Sequence, residues 1–218
     1  MTVMGDPVLR ITEIFYSLQG EARTVGLPTV FVRLTGCPLR CRYCDTAYAF
    51  QGGSRMTIKE VLERVVAFNP RYVCITGGEP LAQLASHPLL TALCNLGYEV
   101  SLETSGALDI GAVDPRVSIV MDLKTPGSGE SERNLYDNID LLARKDQVKF
   151  VIGSRRDYEW SRAQVREYRL DTRCEVLFSP SYEEIDARSL ADWILEDRLR
   201  VRMQMQIHKL LWNNAAGH

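Results

Sequence analysis

Short β-branched runs alternate with amphipathic stretches along most of the chain. Residues 29–34 (TVFVRL) predict a strand. Thr57 then opens a T-x-x-E capping box with Glu60, and Ile58, Val61, Leu62 and Val65 recur at helical spacing as one apolar stripe. Residues 71–75 (RYVCI) read as a strand, 88–96 as a helix, and 98–102 and 117–121 (VSIVM) as two further strands. The alternation continues with a helix over 134–143, a strand over 147–152, a polar helix over 158–168 and a strand over 175–178. Ser181 with Glu184 predicts another capping box, ahead of a helix ending near residue 195. Residues 201–207 read as a last strand, whose alternating M-Q-M-Q-I-H run carries His208.

Strands that alternate with helices pair in parallel, so the class is α/β. About six parallel strands fall short of the eight strands and roughly 250 residues of a closed (β/α) barrel. An incomplete barrel fits better than a doubly wound sheet. The expected organisation is one domain over 1–218, with the partial barrel at 29–206 and flanking segments at 11–28 and 207–218.

Polar, Gly- and Pro-rich segments follow strand after strand: G-C-P-L-R-C-R-Y-C-D-T at 36–46, T-G-G-E-P at 76–80, E-T-S-G at 103–106, D-L-K at 122–124 and S-P-S-Y at 179–182. Any one of these is ordinarily a turn. Repeated at the carboxyl ends of parallel strands, they mark the edge that builds active sites in α/β folds.

Composition narrows the setting. Hydrophobic residues make 45% of the 218, charged residues 25%, and 26 Lys plus Arg against 28 Asp plus Glu leave a net charge of −2. That is globular usage without the basic field of a nucleic-acid binder. The longest uncharged run, 80–98, contains Gln83, His87, Pro88, Asn95 and Gly97 and is no membrane span. The first residues have neither a basic start nor an apolar h-region, so a cytoplasmic protein is expected. In that reducing compartment cysteines serve as ligands or core residues rather than disulfides.

The six cysteines are unevenly spread: Cys37, Cys41 and Cys44 crowd one loop, while Cys74, Cys94 and Cys174 stand apart. Cys74 and Cys94 read as core residues, and Cys174 has no partner in sight. For the triplet three readings compete. Small buried hydrophobes would be scattered. A structural zinc needs four closed ligands, and His87, His208 and His218 all lie far from the loop. A 4Fe-4S cubane takes thiolates, and three of them leave one iron open for a cofactor or substrate.

With T-G-G-E-P and the βα order, C-x3-C-x2-C resembles the radical S-adenosylmethionine superfamily. That resemblance implies a 4Fe-4S cluster on Cys37, Cys41 and Cys44 at the C-terminal face of the strands, with the cofactor chelating the open iron. It places Tyr43 against the adenine, beside Cys44 and Asp45, and Gly77, Gly78 and Glu79 at the methionine amino group. Ser105 and the run Asp122, Leu123, Lys124 would surround the cofactor. So would Ser179, Pro180, Ser181 and Tyr182, by their position after a strand.

Further stretches resemble one branch of that superfamily, the 7-carboxy-7-deazaguanine synthase family of queuosine and 7-deazapurine biosynthesis. They are E-I-F-Y-S-L-Q-G-E-A at 13–22, G-x-P-x-x-F-V-R-L-T-G-C at 26–37, C-D-T at 44–46 and Q-I-H-K-L-L-W at 206–212. The resemblance implies conversion of 6-carboxy-5,6,7,8-tetrahydropterin to 7-carboxy-7-deazaguanine with loss of ammonia, in a homodimer assisted by Mg2+ and fed by an electron donor such as flavodoxin or ferredoxin. Leu18, Gln19, Gly20 and Glu21 would meet the pterin, Arg33 its carboxylate, and Thr76 and His208 its remaining edges. Thr46 would ligate Mg2+ through its hydroxyl, an oxygen donor of the kind Mg2+ prefers.

Two other readings stay open at this level. A glycyl-radical-enzyme activase shares the cysteines and cofactor but acts on a partner polypeptide. An iron-sulfur or zinc module of no catalytic function needs only the thiols. The G-x-G at 127–129 lacks the rest of a dinucleotide fingerprint and reads as a loop, Arg198, Arg200 and Arg202 as a solvated or interface face, and 213–218 matches no motif.

Overall fold

The computed structural model describes residues 6–182 and 184–213. It holds one nine-stranded sheet in the order β3-β1-β2-β4-β5-β6-β7-β8-β9. The parallel part runs from β2 (Pro28–Leu34) through β4 (Tyr72–Gly77), β5 (Glu99–Thr104), β6 (Ser118–Asp122), β7 (Gln147–Ile152) and β8 (Glu175–Pro180) to the two-residue β9 (Arg202–Met203). The sheet stays open, as an incomplete barrel does. Outside β2 lie two strands that the hydrophobic pattern had not signalled, β1 (Val8–Leu18) and β3 (Ser54–Thr57), both antiparallel to their neighbours. Residues 11–18, expected to flank the barrel, thus belong to the sheet.

Period-two alternation sorts each parallel strand into a helix-facing and an inward-facing set. Val30, Val32, Leu34, Val73, Ile75, Val100, Leu102, Ile119, Met121, Val148, Phe150, Val176 and Phe178 join the buried cluster beneath the helices. The residues between them turn inward. They include Phe31, Arg33, Thr76, Glu103, Val120, Asp122, Lys149 and Val151, and all eight line one cavity.

The helices are α1 (Ile58–Ala67), α2 (Ser86–Asn95), α3 (Arg155–Glu167), the single turn α4 (Leu170–Arg173), α5 (Ala187–Glu196) and α6 (Ile207–Trp212). The predicted Thr57–Glu60 box is present: Glu60 N donates to Thr57 Oγ1 at 3.2 Å and Thr57 N to Glu60 Oε2 at 2.7 Å. It starts α1, which buries Ile58, Val61 and Val65.

Three local expectations are corrected. The helix over 134–143 is a 3-10 segment, Tyr136–Leu141, preceded by a separate 3-10 turn at Ser131–Arg133. Its asparagines bind neighbouring backbone instead of facing solvent: Asn134 exchanges hydrogen bonds with Lys124 N and O at 2.8 and 2.9 Å, and Asn138 Nδ2 donates to Leu108 O at 2.8 Å. No Ser181–Glu184 box forms. Asp186 caps α5, accepting from Ser189 N at 3.3 Å, while Glu184 reaches Arg42 at 3.2 Å.

The strand over 201–207 shrinks to β9, and His208 stands on α6 rather than on a strand. Gln204 and Gln206 spend their side chains on residues 21 and 22, which draws the chain off the sheet edge: Ala22 N donates to Gln204 Oε1 at 2.7 Å and Gln206 Nε2 donates to Glu21 Oε1. No described helix is long and apolar enough to cross a membrane. Residues 214–218 of the unmatched tail lie outside the described residues.

Candidate active site

A cavity of about 520 Å³ opens at the carboxyl ends of the parallel strands. The loop after β2 carries Cys37, Cys41 and Cys44, all three half-buried and on the cavity wall. Backbone bonds fix this loop: Gly36 N to Ala49 O at 2.8 Å, Arg42 N to Ser128 O at 2.9 Å, and Glu79 N to Gly36 O at 2.8 Å. Cys74 and Cys174 are buried and Cys94 is half-buried, and none of the three lines the cavity.

Burial raises the pKa of Cys37, and it pushes Cys41 up to about 11; each of the two thiols also feels the charge of Cys44. Cys37 and Cys41 therefore neighbour Cys44, and these two thiols stay protonated until a metal displaces the protons. Among the described residues no three His, Cys, Asp or Glu side chains converge tightly enough for a single metal ion. A structural zinc closes its shell with four ligands, whereas a cubane with an open iron takes three thiolates, so this donor set suits a cluster better than zinc.

Around the thiols the cavity presents Tyr43, Asp45, Gly77, Gly78, Ser105 and Thr46. Gly78 has to be glycine: a Cβ there would fall 2.1 Å from Gly36 O and 2.9 Å from Cys37 Cβ. Thr46 Oγ1 lies 3.8 Å from Cys44 Sγ. Asp122 Oδ2 takes Lys124 Nζ at 2.9 Å, while its Oδ1 is buried with no hydrogen-bond partner. Asp45 pairs with Lys209 on α6 at 2.8 Å, and that ammonium stands 5.2 Å from the Tyr182 ring. Ser181 and Tyr182 line the cavity.

Four residues expected at the cofactor do not line the cavity. Glu79 is fully buried and accepts from Leu81 N, Thr104 Oγ1 and Ser105 N at 2.9, 2.9 and 2.6 Å, so its carboxylate braces the T-G-G-E-P turn from behind. Leu123 packs its side chain in the core. Ser179 and Pro180 are buried in β8.

A second group of residues faces the same space. Leu18 ends β1, and Gln19, Gly20 and Glu21 follow it; Arg33 and Thr76 come from β2 and β4, and His208 from α6. Arg33 is held by Glu13, its Nε 2.7 Å from Oε1, between the rings of Phe15 and Tyr48 at 5.8 and 5.9 Å. Since Nε is engaged, the two terminal nitrogens remain as the edge for a planar anion. Thr76 Oγ1 donates to Glu103 Oε2 at 2.8 Å, and Gln19 Nε2 to Glu103 Oε1 at 3.4 Å. Burial lowers the pKa of His208 against the pull of Glu21, Asp45 and Glu103, so its imidazole is neutral near pH 7.

Sequence reasoning missed Glu103, Lys149, Gln206, Lys209, Glu13 and Tyr48 as site residues. A signal existed for two of them: parallel strands buried on both faces are normally apolar throughout, and Glu103 and Lys149 interrupt that pattern at inward positions. Gln206 and Lys209 depend on how the C-terminal segment docks, which no local pattern encodes.

An incomplete barrel with three thiols on the first βα loop, facing a cavity lined by charges of both signs, is the arrangement that the radical S-adenosylmethionine resemblance implies. Residues 31–124 match the family model of the radical SAM superfamily. The chain is 45% identical over 208 residues to the 7-carboxy-7-deazaguanine synthase of Chlorobaculum tepidum, covering 94% of each protein. It is 41% identical over 219 residues to the protein of that name from Koribacter versatilis, covering 94% of this chain and 97% of the relative. The fold matches the crystal structure of QueE from Escherichia coli with a TM-score of 0.74 at 24% identity, over 91% of this chain and 94% of that one. The chain belongs to the 7-carboxy-7-deazaguanine synthase family.

Proposed function

We propose that this cavity converts 6-carboxy-5,6,7,8-tetrahydropterin to 7-carboxy-7-deazaguanine, releasing ammonia. The observation that carries the reading is a single cavity in which three thiols with no fourth cysteine beside them share the wall with a guanidinium held through Nε, its terminal nitrogens making no hydrogen bond among the described residues. Cys37, Cys41 and Cys44 would hold three irons of a 4Fe-4S cluster and leave the fourth for S-adenosylmethionine. Bound there, such a cluster would supply the electron for reductive cleavage of the sulfonium, and with it the radical chemistry that removes hydrogen from the substrate.

The chain's own residues bind, orient and exclude water. Main-chain groups at Gly77 and Gly78 allow close approach of the methionine end, and Tyr43 offers a face to the adenine. Ser105 and Lys124 add polar contacts, and Asp122 Oδ1, which has no partner, is available to accept from a hydroxyl or amino group. On the substrate side Arg33 binds the carboxylate. Glu103 has Thr76 and Gln19 as donors and feels the charges of Arg33 and Lys149, and its carboxylate can accept further from N–H groups of the pterin. Neutral His208 can donate or accept at the opposite wall. The reading includes a cytoplasmic homodimer supplied with electrons by a flavodoxin or ferredoxin, in keeping with the family and with six unpaired cysteines.

The test is anaerobic reconstitution with iron and sulfide, then addition of the carboxypterin, a reductant and S-adenosylmethionine. Formation of 7-carboxy-7-deazaguanine and ammonia in equal amounts, dependent on both S-adenosylmethionine and the reductant, is expected. A radical formed on a partner polypeptide, without turnover of the pterin, would show an activase instead.

Thr46 is the proposed Mg2+ ligand, completed by substrate oxygens and water. Thr46→Ala should keep its iron and its cofactor cleavage but lose the stimulation by Mg2+, a drop of about tenfold if one oxygen ligand is worth about 1.4 kcal/mol. A Mg2+ titration of initial rates checks this, and an unchanged Mg2+ dependence removes Thr46 from the metal site.

A further inference from the structure

The C-terminal segment that brings His208 to the cavity has little hold on the sheet. β9 contributes two paired residues, and after Gln204 N donates to Phe178 O at 3.0 Å the ladder ends. From Gln204 onward the chain is tied to the loop after β1 instead. Ala22 N donates to Gln204 Oε1 at 2.7 Å, Gln206 Nε2 to Glu21 Oε1, and Ile207 N to Gly20 O at 3.2 Å. His208 then lies so close over Gly20 that a Cβ there would come within 1.9 Å of Nδ1. Farther along, Lys209 makes its separate pair with Asp45.

The loop after β1 has its own anchor on the opposite side. Lys149, an inward residue of β7, places Nζ 2.7 Å from Glu21 Oε2 and 3.7 Å from Asp122 Oδ2. Both partners of the shorter pair are almost fully buried, at 14% and 9% side-chain exposure. The remaining oxygen of Glu21 carries Gln206, so one carboxylate joins β7 to the C-terminal segment. Burial alone would raise the Glu21 pKa; Lys149 overrides it, with help from Gln206 and His208, and brings the carboxyl down to about 2. The anion makes the Gln206 bond charge-assisted, about twice as strong as a neutral one.

We infer that Lys149 is a positioning residue for the substrate: acting through Glu21, it seats residues 204–208 and so holds His208 at the cavity wall. The inference rests on the proposed substrate reading, because it takes the pterin to be the ligand that His208 meets. Lys149 need not touch that ligand. Without its ammonium the Glu21 carboxylate is a buried charge with one neutral donor, a state that drives the loop or the segment toward water.

The experiment compares the iron-loaded wild type with Lys149→Met, Lys149→Arg and Glu21→Gln by hydrogen exchange and steady-state kinetics. In Lys149→Met the Ile207 amide and the 204–209 region should exchange about tenfold faster or more, as loss of a charged hydrogen-bond partner predicts, while the amides of β4 to β6 keep wild-type protection. KM for the carboxypterin should rise by about tenfold with a smaller change in kcat. Lys149→Arg should restore both, and Glu21→Gln, which removes the charge with little change of shape, should reproduce the loosened segment.

Wild-type protection of 204–209 in Lys149→Met overturns the inference. So does a loss of protection spread evenly over the sheet, or a loosened segment with an unchanged KM. A wild-type enzyme that neither binds nor turns over the carboxypterin would defeat the substrate reading instead; the exchange comparison then still decides whether Lys149 seats the segment.

Discussion

Cys41→Ala is expected to abolish cluster assembly and reduce formation of 5′-deoxyadenosine to background, while the protein stays folded. Cys41 is half-buried on a loop whose backbone is held by bonds that do not involve its sulfur, so losing the thiol should cost less than about 1 kcal/mol of stability. The chemical loss is of another order. With two thiolates the cubane lacks two protein ligands instead of one, and without the cluster nothing among the described residues of the cavity can reduce a sulfonium. Cys74→Ala is the matching control: that thiol is fully buried, its pKa is raised well above the ordinary range chiefly by burial, and it does not line the cavity. It should lower Tm and keep the iron. Iron and sulfide analysis, the visible chromophore and a deoxyadenosine assay on both variants decide the matter, and a Cys41→Ala protein that retains a full cluster would remove this thiol from the ligand set.

The second large effect is expected from Gly78→Ala. One methyl group is added, but it would meet Gly36 O at 2.1 Å, Gly36 C at 2.6 Å and Cys37 Cβ at 2.9 Å. These are backbone atoms and the root of a side chain, so no rotamer change relieves the clash. The turn after β4 and the cysteine loop must separate, which strains the bonds from Gly78 N to Leu34 O at 3.1 Å and from Glu79 N to Gly36 O at 2.8 Å. Overpacking of this kind costs about 1–3 kcal/mol. The functional cost should exceed that, because the displaced wall is the one against which the cofactor's methionine end would rest, and misplacement by about 1 Å can cost a hundredfold in rate. Calorimetry should show a modest fall in Tm, whereas cofactor cleavage should drop at least about a hundredfold. Cleavage at the wild-type rate would mean that the two loops do not pack this closely in solution.

The cysteine loop and the T-G-G-E-P turn were legible in the sequence because their chemistry is local: three thiols within one loop, and glycines where backbone meets backbone. The parallel core was legible too, since Val, Ile and Leu runs bounded by turn residues leave few alternatives. Strand β1 escaped notice because it pairs antiparallel at the side of the barrel and mixes buried positions such as Leu9 and Ile11 with half-exposed ones from Thr12 to Phe15, so no clean periodicity survives. The 134–143 segment was misread because its asparagines are engaged by neighbouring loops, an outcome that helical propensity alone does not contain.

Glu79 illustrates the limit from the other side. Its motif placed it at the cofactor, yet Thr104 and Ser105, distant in sequence, supply the donors that turn its carboxylate into the structure. Conversely, Lys149 and Glu103 carried an audible signal as charges within apolar strands, and only the register of β5 and β7 shows that both face the same space.

By itself the sequence determined the α/β class, the thiol triplet with its open-cluster chemistry, and the family, because those depend on residue types at short, fixed spacings. The tertiary structure alone decided which charges share the cavity, that Arg33 is turned by Glu13, and that a C-terminal segment of few sheet bonds is carried to the site on Glu21 and Lys149. The reason is physical: spacing along the chain sets which side of a strand a residue faces, but the pairing of buried charges is settled only when separate strands and loops are brought within a few ångströms, where desolvation leaves each ion dependent on the partner it finds.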